Sequence, residues 1–296
     1  MKKVLFSFLL ILGGLYLILS FLDRDGNYTI EQRLWKINKQ LLEVAKDPAV
    51  VPDQKFADIA EQYAQLVKDF PRSKLSSRAQ ILQAQVYIVK KDYETARKKL
   101  QEVFTLYPDN ESVLAEAQMA IAKTYELGGD MASAEKAYKV LIEKYPTSNA
   151  GLGTPIYLVN YFREKNNTAK FIDTFNEAVS HYKKLAEENP NSELEFNSLR
   201  FLANCYFLHK NWREGLDVFG DILLKYPNPR AASQIVQTIN AISVIELKDF
   251  NVPIEIYGNI LKQKPDHPLA KNLEKMIAGF NELKDKNVKI TTKEEL

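Results

Sequence analysis

Residues 84–108 read AQVYIVKKDYETARKKLQEVFTLYP, and residues 122–146 read AKTYELGGDMASAEKAYKVLIEKYP. Laid over one another, the two stretches agree in register. Each has an alanine and then a tyrosine three residues on (Ala84-Tyr87, Ala122-Tyr125). Each has a polar break at Lys91-Asp92-Tyr93 or Gly129-Asp130-Met131 and a second alanine four residues before a large side chain (Ala96-Leu100, Ala134-Tyr138). Each closes on Tyr-Pro at Tyr107-Pro108 or Tyr145-Pro146. Spacings of three and four put residues on one face of a helix. The break between them carries turn and cap residues. The proline ends the second helix, because it has no amide to donate and restricts the residue before it. The pattern predicts two antiparallel helices. An alanine at the crossing lets the backbones approach, and a large side chain on the facing helix fills the adjacent space.

Outward from these stretches the same marks recur. Prolines close similar segments at Pro71, Pro108, Pro146, Pro190, Pro227 and Pro265, at intervals of 37, 38, 44, 37 and 38 residues. Eight residues before each stands Tyr63, Leu100, Tyr138, Tyr182, Phe219 or Tyr257. Four before those stand Ile59, Ala96, Ala134, Ala178, Gly215 and Pro253. The first-helix marks recur at Ala203-Tyr206 and Ala241-Val244, and the breaks at Lys210-Asn211-Trp212 and Lys248-Asp249-Phe250. One such pair cannot bury its apolar face alone, so neighbours must stack.

This register resembles the tetratricopeptide repeat family, whose pattern is a small residue, an aromatic, A-x3-F and a closing proline in about 34 residues. The resemblance covers about Thr29–Pro268. The departures are the longer period, Gly215 and Pro253 in place of alanine, and a unit ending at Pro190 with no first helix at the normal spacing. The resemblance implies an all-α, TPR-like α-solenoid, a right-handed superhelix of helix pairs, preceded here by one transmembrane helix.

Boundary signals give the plan. Thr29 and Gln32 read as a capping box for a helix over Ile30–Lys46, followed by a loop at Pro48–Pro52 and a helix to Phe70. Pairs are expected over about 76–107, 113–145, 154–189, 195–226 and 232–264, about six units within 29–267. Thr154-Pro155 reads as an N-cap followed by the first helical position. The extra residues of that unit are assigned to Gly151–Gly153 and Asn166–Thr168, where a bend is expected. A capping helix is expected over 268–286, with Leu269, Leu273, Met276, Ile277, Phe280 and Leu283 on one face, and then a loose tail over 287–296.

Val4–Leu22 (VLFSFLLILGGLYLILSFL) carries no charge over 19 residues, long enough as a helix to span a bilayer core of about 30 Å. It reads as a transmembrane signal-anchor over 4–22, with 1–3 in the cytoplasm and 23–28 as linker. A cleaved secretory signal is the rival, but such signals have a shorter apolar run and a small-residue cleavage site. Lys2 and Lys3 favour a cytoplasmic N-terminus, whereas Arg24, Arg33, Lys36 and Lys39 beyond the segment oppose it. The expected placement is single-pass in an inner membrane with the repeats on the periplasmic side.

The charges, 40 basic against 38 acidic, leave a net of +2 and no basic surplus for nucleic acid. Cys205 is the one cysteine, so no intrachain disulfide can form, and it reads as a small core residue. His181, His209 and His267 are too far apart for a helical metal site and read as exposed. Gly151-Leu152-Gly153-Thr154-Pro155-Ile156 lacks the third glycine and the preceding strand of a phosphate loop. No enzyme activity, metal or cofactor is expected.

Tetratricopeptide proteins hold peptides or partner helices in a concave groove lined by first helices. The resemblance carries that role to Arg78, Ile81, Gln85 and Ile88, then to Glu116, Met119, Lys123 and Glu126. It continues at Asn197, Arg200, Asn204 and Phe207, then at Ile235, Thr238, Ile242 and Ile245. Arg200 and Asn204 are similar to the first positions of the family's carboxylate clamp, but Ile239 stands where its next asparagine should be. The expected function is protein binding, as a scaffold or assembly factor of the cell envelope. A translocon-associated periplasmic chaperone and a cytosol-facing organelle import receptor are the alternatives.

Overall fold

The computed structural model describes residues 27–227 and 229–286. Among them are thirteen α-helices and no strand. In chain order they are α1 (Asn27–Lys46), α2 (Asp53–Asp69), α3 (Lys74–Val89), α4 (Tyr93–Leu106), α5 (Glu111–Leu127), α6 (Met131–Lys144) and α7 (Asn149–Glu164). Then come α8 (Thr168–Glu188), α9 (Glu193–Leu208), α10 (Trp212–Lys225), α11 (Pro229–Ile245), α12 (Asn251–Gln263) and α13 (Ala270–Asp285). The expected anchor at 4–22, the N-terminus at 1–3, most of the linker and the tail at 287–296 lie outside the described residues. Among the described residues no helix is long and apolar enough to cross a membrane.

The chain divides into two compact units, Met1–Gly151 and Leu152–Leu296. In the first, α1 to α6 form three successive pairs, and the first helices α1, α3 and α5 also touch one another. In the second, α7 packs on α8 with Leu152 and Val159 in one core with Phe175, Ala178 and Tyr182, α9 pairs with α10 and α11 with α12, and α13 packs on α12 through Leu273, Met276, Ile277 and Phe280. Leu283, expected on that face, is exposed.

The turn inside each pair explains the recurring break. Lys91 and Asp92 close α3: the Lys91 amide donates to the Ile88 carbonyl and the Asp92 amide to the Tyr87 carbonyl, at 2.9 and 2.8 Å. This is the Schellman pattern that satisfies the last carbonyls of a helix. It recurs at Gly129-Asp130, Asn166-Asn167 and Lys210-Asn211. The first residue of each turn takes a left-handed φ, 66° at Lys91, 82° at Gly129, 53° at Asn166 and 62° at Lys210. The second residue then caps the next helix. Asp92, Asp130 and Asn167 accept from the amides of Thr95, Ser133 and Lys170 at 3.1, 3.0 and 3.2 Å. Asn211 makes no such bond, because its Oδ1 is taken by His209 Nδ1 at 2.7 Å.

Between pairs, the second residue after the proline starts the next first helix. Ser73, Asn110, Ser148 and Ser192 accept from the amides of Leu75, Val113, Gly151 and Glu195. This corrects two starts expected from sequence. Helix α7 begins at Asn149 with Ser148 as its cap, so Thr154 is buried mid-helix and Pro155 lies inside the helix. Thr29 likewise lies within α1, so it does not cap it.

Pro155 can be tolerated there because of Tyr182. Proline lacks one amide and crowds the carbonyl four residues back. The Tyr182 hydroxyl, fully buried, stands at this point of the ladder. It donates to the Leu152 carbonyl at 2.8 Å and accepts from the Ile156 amide at 3.2 Å. Gly151 is required as well: a Cβ there would fall 1.9 Å from the Tyr145 carbonyl oxygen.

The extra residues of this unit lie in its second helix, and neither Gly151–Gly153 nor Asn166–Thr168 is an insertion. Helix α8 has 21 residues where α4, α6 and α10 have 14. Seven residues make almost two whole turns and rotate a helix face by only about 20°. The added turns at its start therefore leave Ala178 and Tyr182 facing the core. Counted back from its own turn, α7 is a normal first helix, with Val159 and Phe162 buried where α3 has Ala84 and Tyr87.

Two departures from alanine have packing reasons. Pro253 lies in the first turn of α12, where an amide has no helical partner to lose. At Gly215 a Cβ would fall 2.2 Å from Cε1 and 2.6 Å from Cδ1 of Phe207, so the missing methyl is the space that ring occupies. The turn before α12 carries one residue more than the others, since the Asp249 amide reaches back to Ser243. The register of α11 shifts accordingly: Ser243 is buried and Ala241, expected at a crossing, is exposed.

The histidines are not exposed. His267 is buried, its Nδ1 accepting from the Leu269 amide and its Nε2 donating to the Leu223 carbonyl at 2.9 Å, which ties the turn before α13 to α10. His209 stacks on Phe175 with ring centroids 4.2 Å apart. His181 is half-buried, its Nε2 enclosed with no hydrogen-bond partner among the described residues, and burial, then the charge of Lys184, lowers its pKa. Cys205 is fully buried, which pushes its thiol up to about 12.

Tyr182→Phe should cost about 1–3 kcal/mol by leaving buried backbone groups without the hydroxyl, read from chemical denaturation. Gly215→Ala should cost about 1–3 kcal/mol by overpacking. In a Phe207→Ala background the same change should stabilise by up to about 1 kcal/mol, since alanine is the better helix former; a denaturation cycle on the four proteins gives both values. Burial, then Lys184, lowers the pKa of His181 in the fold, so the unfolded chain takes up the proton first as pH falls through its ordinary value of 6.5. Stability should therefore be flat above that pH and fall below it, and His181→Phe should remove that part of the slope in melts run across the range.

Candidate functional site

The first helices have most of their circumference inside the fold. In α3 the buried residues Ser76, Ser77, Ala79, Gln80, Gln83, Ala84 and Val86 leave one narrow strip that faces out. The residues expected to line the groove fall on such strips. In the first unit, Arg78 and Gln85 are exposed and Ile81 and Ile88 half-buried on α3, and on α5 Glu116 is exposed and Met119 half-buried.

Lys123 and Glu126 on α5 are less available than the sequence suggests. Their side chains pair at 3.2 Å, the Tyr138 hydroxyl donates to Glu126 Oε2 at 2.6 Å, and the Lys123 ammonium lies 6.0 Å from the Tyr138 ring centre. These contacts fasten α5 to α6.

In the second unit the strips of α7 and α9 border an open depression of about 560 Å³. Its lining is Gly153, Ile156, Tyr157, Asn160 and Arg163 from α7, Asn204, Phe207 and Leu208 from α9, and Trp212 from the start of α10. Phe207 is held against Gly215, with its ring 5.2 Å from Phe219 and 6.0 Å from Trp212. Asn160 is engaged within its helix, accepting from Arg163 at 2.8 Å and donating to Glu164 at 2.7 Å. Asn204 is exposed, and its amide makes no hydrogen bond among the described residues. The result is a cleft with aromatic walls and one free amide that both donates and accepts, suited to an apolar side chain and the peptide group beside it.

Of the residues expected here, Asn204 and Phe207 come together in this depression. Arg200 does not line it; its guanidinium lies over the Phe196 ring at 5.6 Å. On α11, Ile235 is buried core, Thr238 and Ile242 are half-buried, and Ile245 is exposed. Sequence reasoning missed Ile156, Tyr157, Asn160, Arg163 and Trp212. Counting back from Pro190 crosses the two added turns of α8, whereas counting back from the cap Asn167 places α7 correctly.

Residues 78–110 and 116–148 match the family model of the tetratricopeptide repeat. No curated protein matches the chain. Among solved structures, the chain is similar to the crystal structure of the P58(IPK) TPR domain. The two are 13% identical over 86% of this chain and 67% of that one, with a TM-score of 0.28. The matched residues lie in the pairs α3–α4 and α5–α6, and α7–α8 repeats their turn and cap.

Proposed function

We propose that the chain is a membrane-held binding protein that captures a segment of another protein on its first-helix strips, as a scaffold or assembly factor of a cell envelope. The cleft of the second unit carries this reading: aromatic and apolar walls from Ile156, Tyr157, Phe207 and Trp212 surround the free amide of Asn204. Packing does not require so many large apolar groups at an open surface, and aromatic clefts are where partner anchors insert. Tetratricopeptide repeats at α3–α6 support protein binding as the general role. The uncharged stretch Val4–Leu22 supports the membrane attachment. The repeats belong, in this reading, on the extracytoplasmic side.

The test is site-specific photo-crosslinking in intact membranes, with the probe in place of Asn204, of Met119 and, as a control, of exposed Lys183 on α8. One or two discrete adducts at Asn204 establish a dedicated partner and a scaffold. A ladder of many clients identifies a chaperone. Adducts no stronger than at Lys183 remove the cleft from consideration. Trp212→Ala should weaken capture at Asn204 by roughly thirtyfold, about 2 kcal/mol for a buried aromatic anchor, with the thermal melt showing that the fold survives. Ile88→Glu should abolish adducts at the Met119 probe without unfolding the protein. Digestion of the repeats by protease added outside the sealed membrane supports the extracytoplasmic side, and protection until the membrane is lysed refutes it.

A further inference from the structure

Helix α1 is apolar on two opposite sides. Ile30, Leu34, Ile37, Leu41 and Val44 are buried in the core with Phe56, Ile59 and Tyr63 of α2. On the other side Tyr28, Trp35 and Leu42 are 75, 62 and 66% exposed. They are seven residues apart, two turns each time, so they form one stripe along the helix. Exposed Lys36, Lys39 and Lys46 flank it, with Glu31 and Glu43, and the Lys39 ammonium lies 5.8 Å from the Trp35 ring centre. Single exposed hydrophobes are ordinary, but a stripe that includes a tryptophan and a tyrosine marks a contact surface.

A second copy of the helix is a poor occupant. A paired seam needs apolar residues at two positions of every heptad. The residues three beyond the stripe positions are Glu31, Asn38 and Ala45, and those four beyond are Gln32, Lys39 and Lys46. A lipid surface fits better. Tryptophan and tyrosine favour the headgroup level of a bilayer, and lysines beside them reach lipid phosphates. The chain also brings the helix there: Leu22, the end of the uncharged run, is six residues from Tyr28, a reach of at most about 20 Å.

We propose that α1 lies along the membrane, with Tyr28, Trp35 and Leu42 among the headgroups and Lys36, Lys39 and Lys46 toward anionic lipid. This rests on the proposed membrane attachment through residues 4–22. The geometry would fix the first unit against the bilayer as a platform.

The protein has two tryptophans. The full chain carrying Trp212→Phe, which leaves Trp35 as sole reporter, is reconstituted in vesicles of phosphatidylcholine and phosphatidylglycerol. Flotation is measured first, then quenching of Trp35 by phosphatidylcholine brominated on its acyl chains. The expected result is flotation with at least about a twofold loss of Trp35 emission, as for a ring seated at the interface. The double variant Tyr28→Glu, Leu42→Glu should still float but lose the quenching. Flotation without quenching in the parent chain overturns this inference and leaves the attachment standing. Failure to float overturns both. An unquenched Trp35 together with Leu42→Cys chains that form disulfide-linked dimers would show that the stripe joins two copies instead.

Discussion

In three of the pairs, α3–α4, α5–α6 and α7–α8, one residue closes the first helix and opens the second. Asp92, Asp130 and Asn167 donate their amide to the last turn behind them and accept, through the side chain, from the first turn ahead. Helix ends otherwise leave several amides and carbonyls without partners. Doing both jobs at one position keeps the connection at three residues and fixes the angle between the helices. It also fixes the register, since the side chains of both helices are counted from that residue. The cost is a left-handed conformation just before it, accepted by Lys91, Asn166 and Lys210 without the freedom of glycine.

With the angle set, the core between the two helices is narrow, and the large residue of the second helix does more than fill it. The hydroxyls of Tyr63, Tyr182 and Tyr257 reach the first helix of their own pair, at Asn38, at Leu152 with Ile156, and at Asn240. Tyr138 does the same at Glu126. A buried hydroxyl must find a partner, so each tyrosine specifies which stretch of the first helix lies opposite it. Leu100 and Phe219 fill the same place without that polar link. Glu195 supplies a different one between α9 and α10, accepting from Lys225 at 2.6 Å and from the Tyr226 hydroxyl, and these hydrogen bonds hold its carboxyl below the usual range despite its burial.

The sequence carried the helices and their pairing because both follow from local rules: cap residues, prolines and spacings of three and four. It misled where a local signal was outvoted by one farther along. Thr154-Pro155 is a good helix start on its own terms, but Ser148 offers an earlier cap, and Tyr182, some thirty residues away, serves the ladder at the proline. The length of α8 was hidden because seven added residues leave the apolar pattern in phase. One added residue before α12 does the opposite and turns Ala241 outward. The histidines were misread as exposed because burial depends on what packs from elsewhere, as Leu223 does on His267. The candidate site suffered most, since its residues lie on two helices whose relative register needed those corrections.

Comparison of the chain with itself shows where function can reside. Turn and crossing positions keep their type from pair to pair, because each has a packing or hydrogen-bonding task. The outward strip of the first helices has fewer such tasks, Lys123 and Glu126 on α5 excepted, and it varies more. Counted from the turns, Gln85, Lys123, Asn160, Asn204 and Ala241 are equivalent, as are Ile88, Glu126, Arg163, Phe207 and Val244. Position by position the chemistry differs from one helix to the next. Yet Ile81, Met119 and Ile156, equivalent on α3, α5 and α7, are all apolar and half-buried. Solvation alone would favour charge at such places, and so would solubility. On α9 and α11 the equivalent residues are Arg200 and Gln237, so each unit offers its own mix of apolar anchors and polar groups, which fits recognition of protein segments by anchors that bind and polar groups that choose among sequences. The same scaffold can then take a new partner by exchanging strip residues, while the turn and core residues keep the pairs intact.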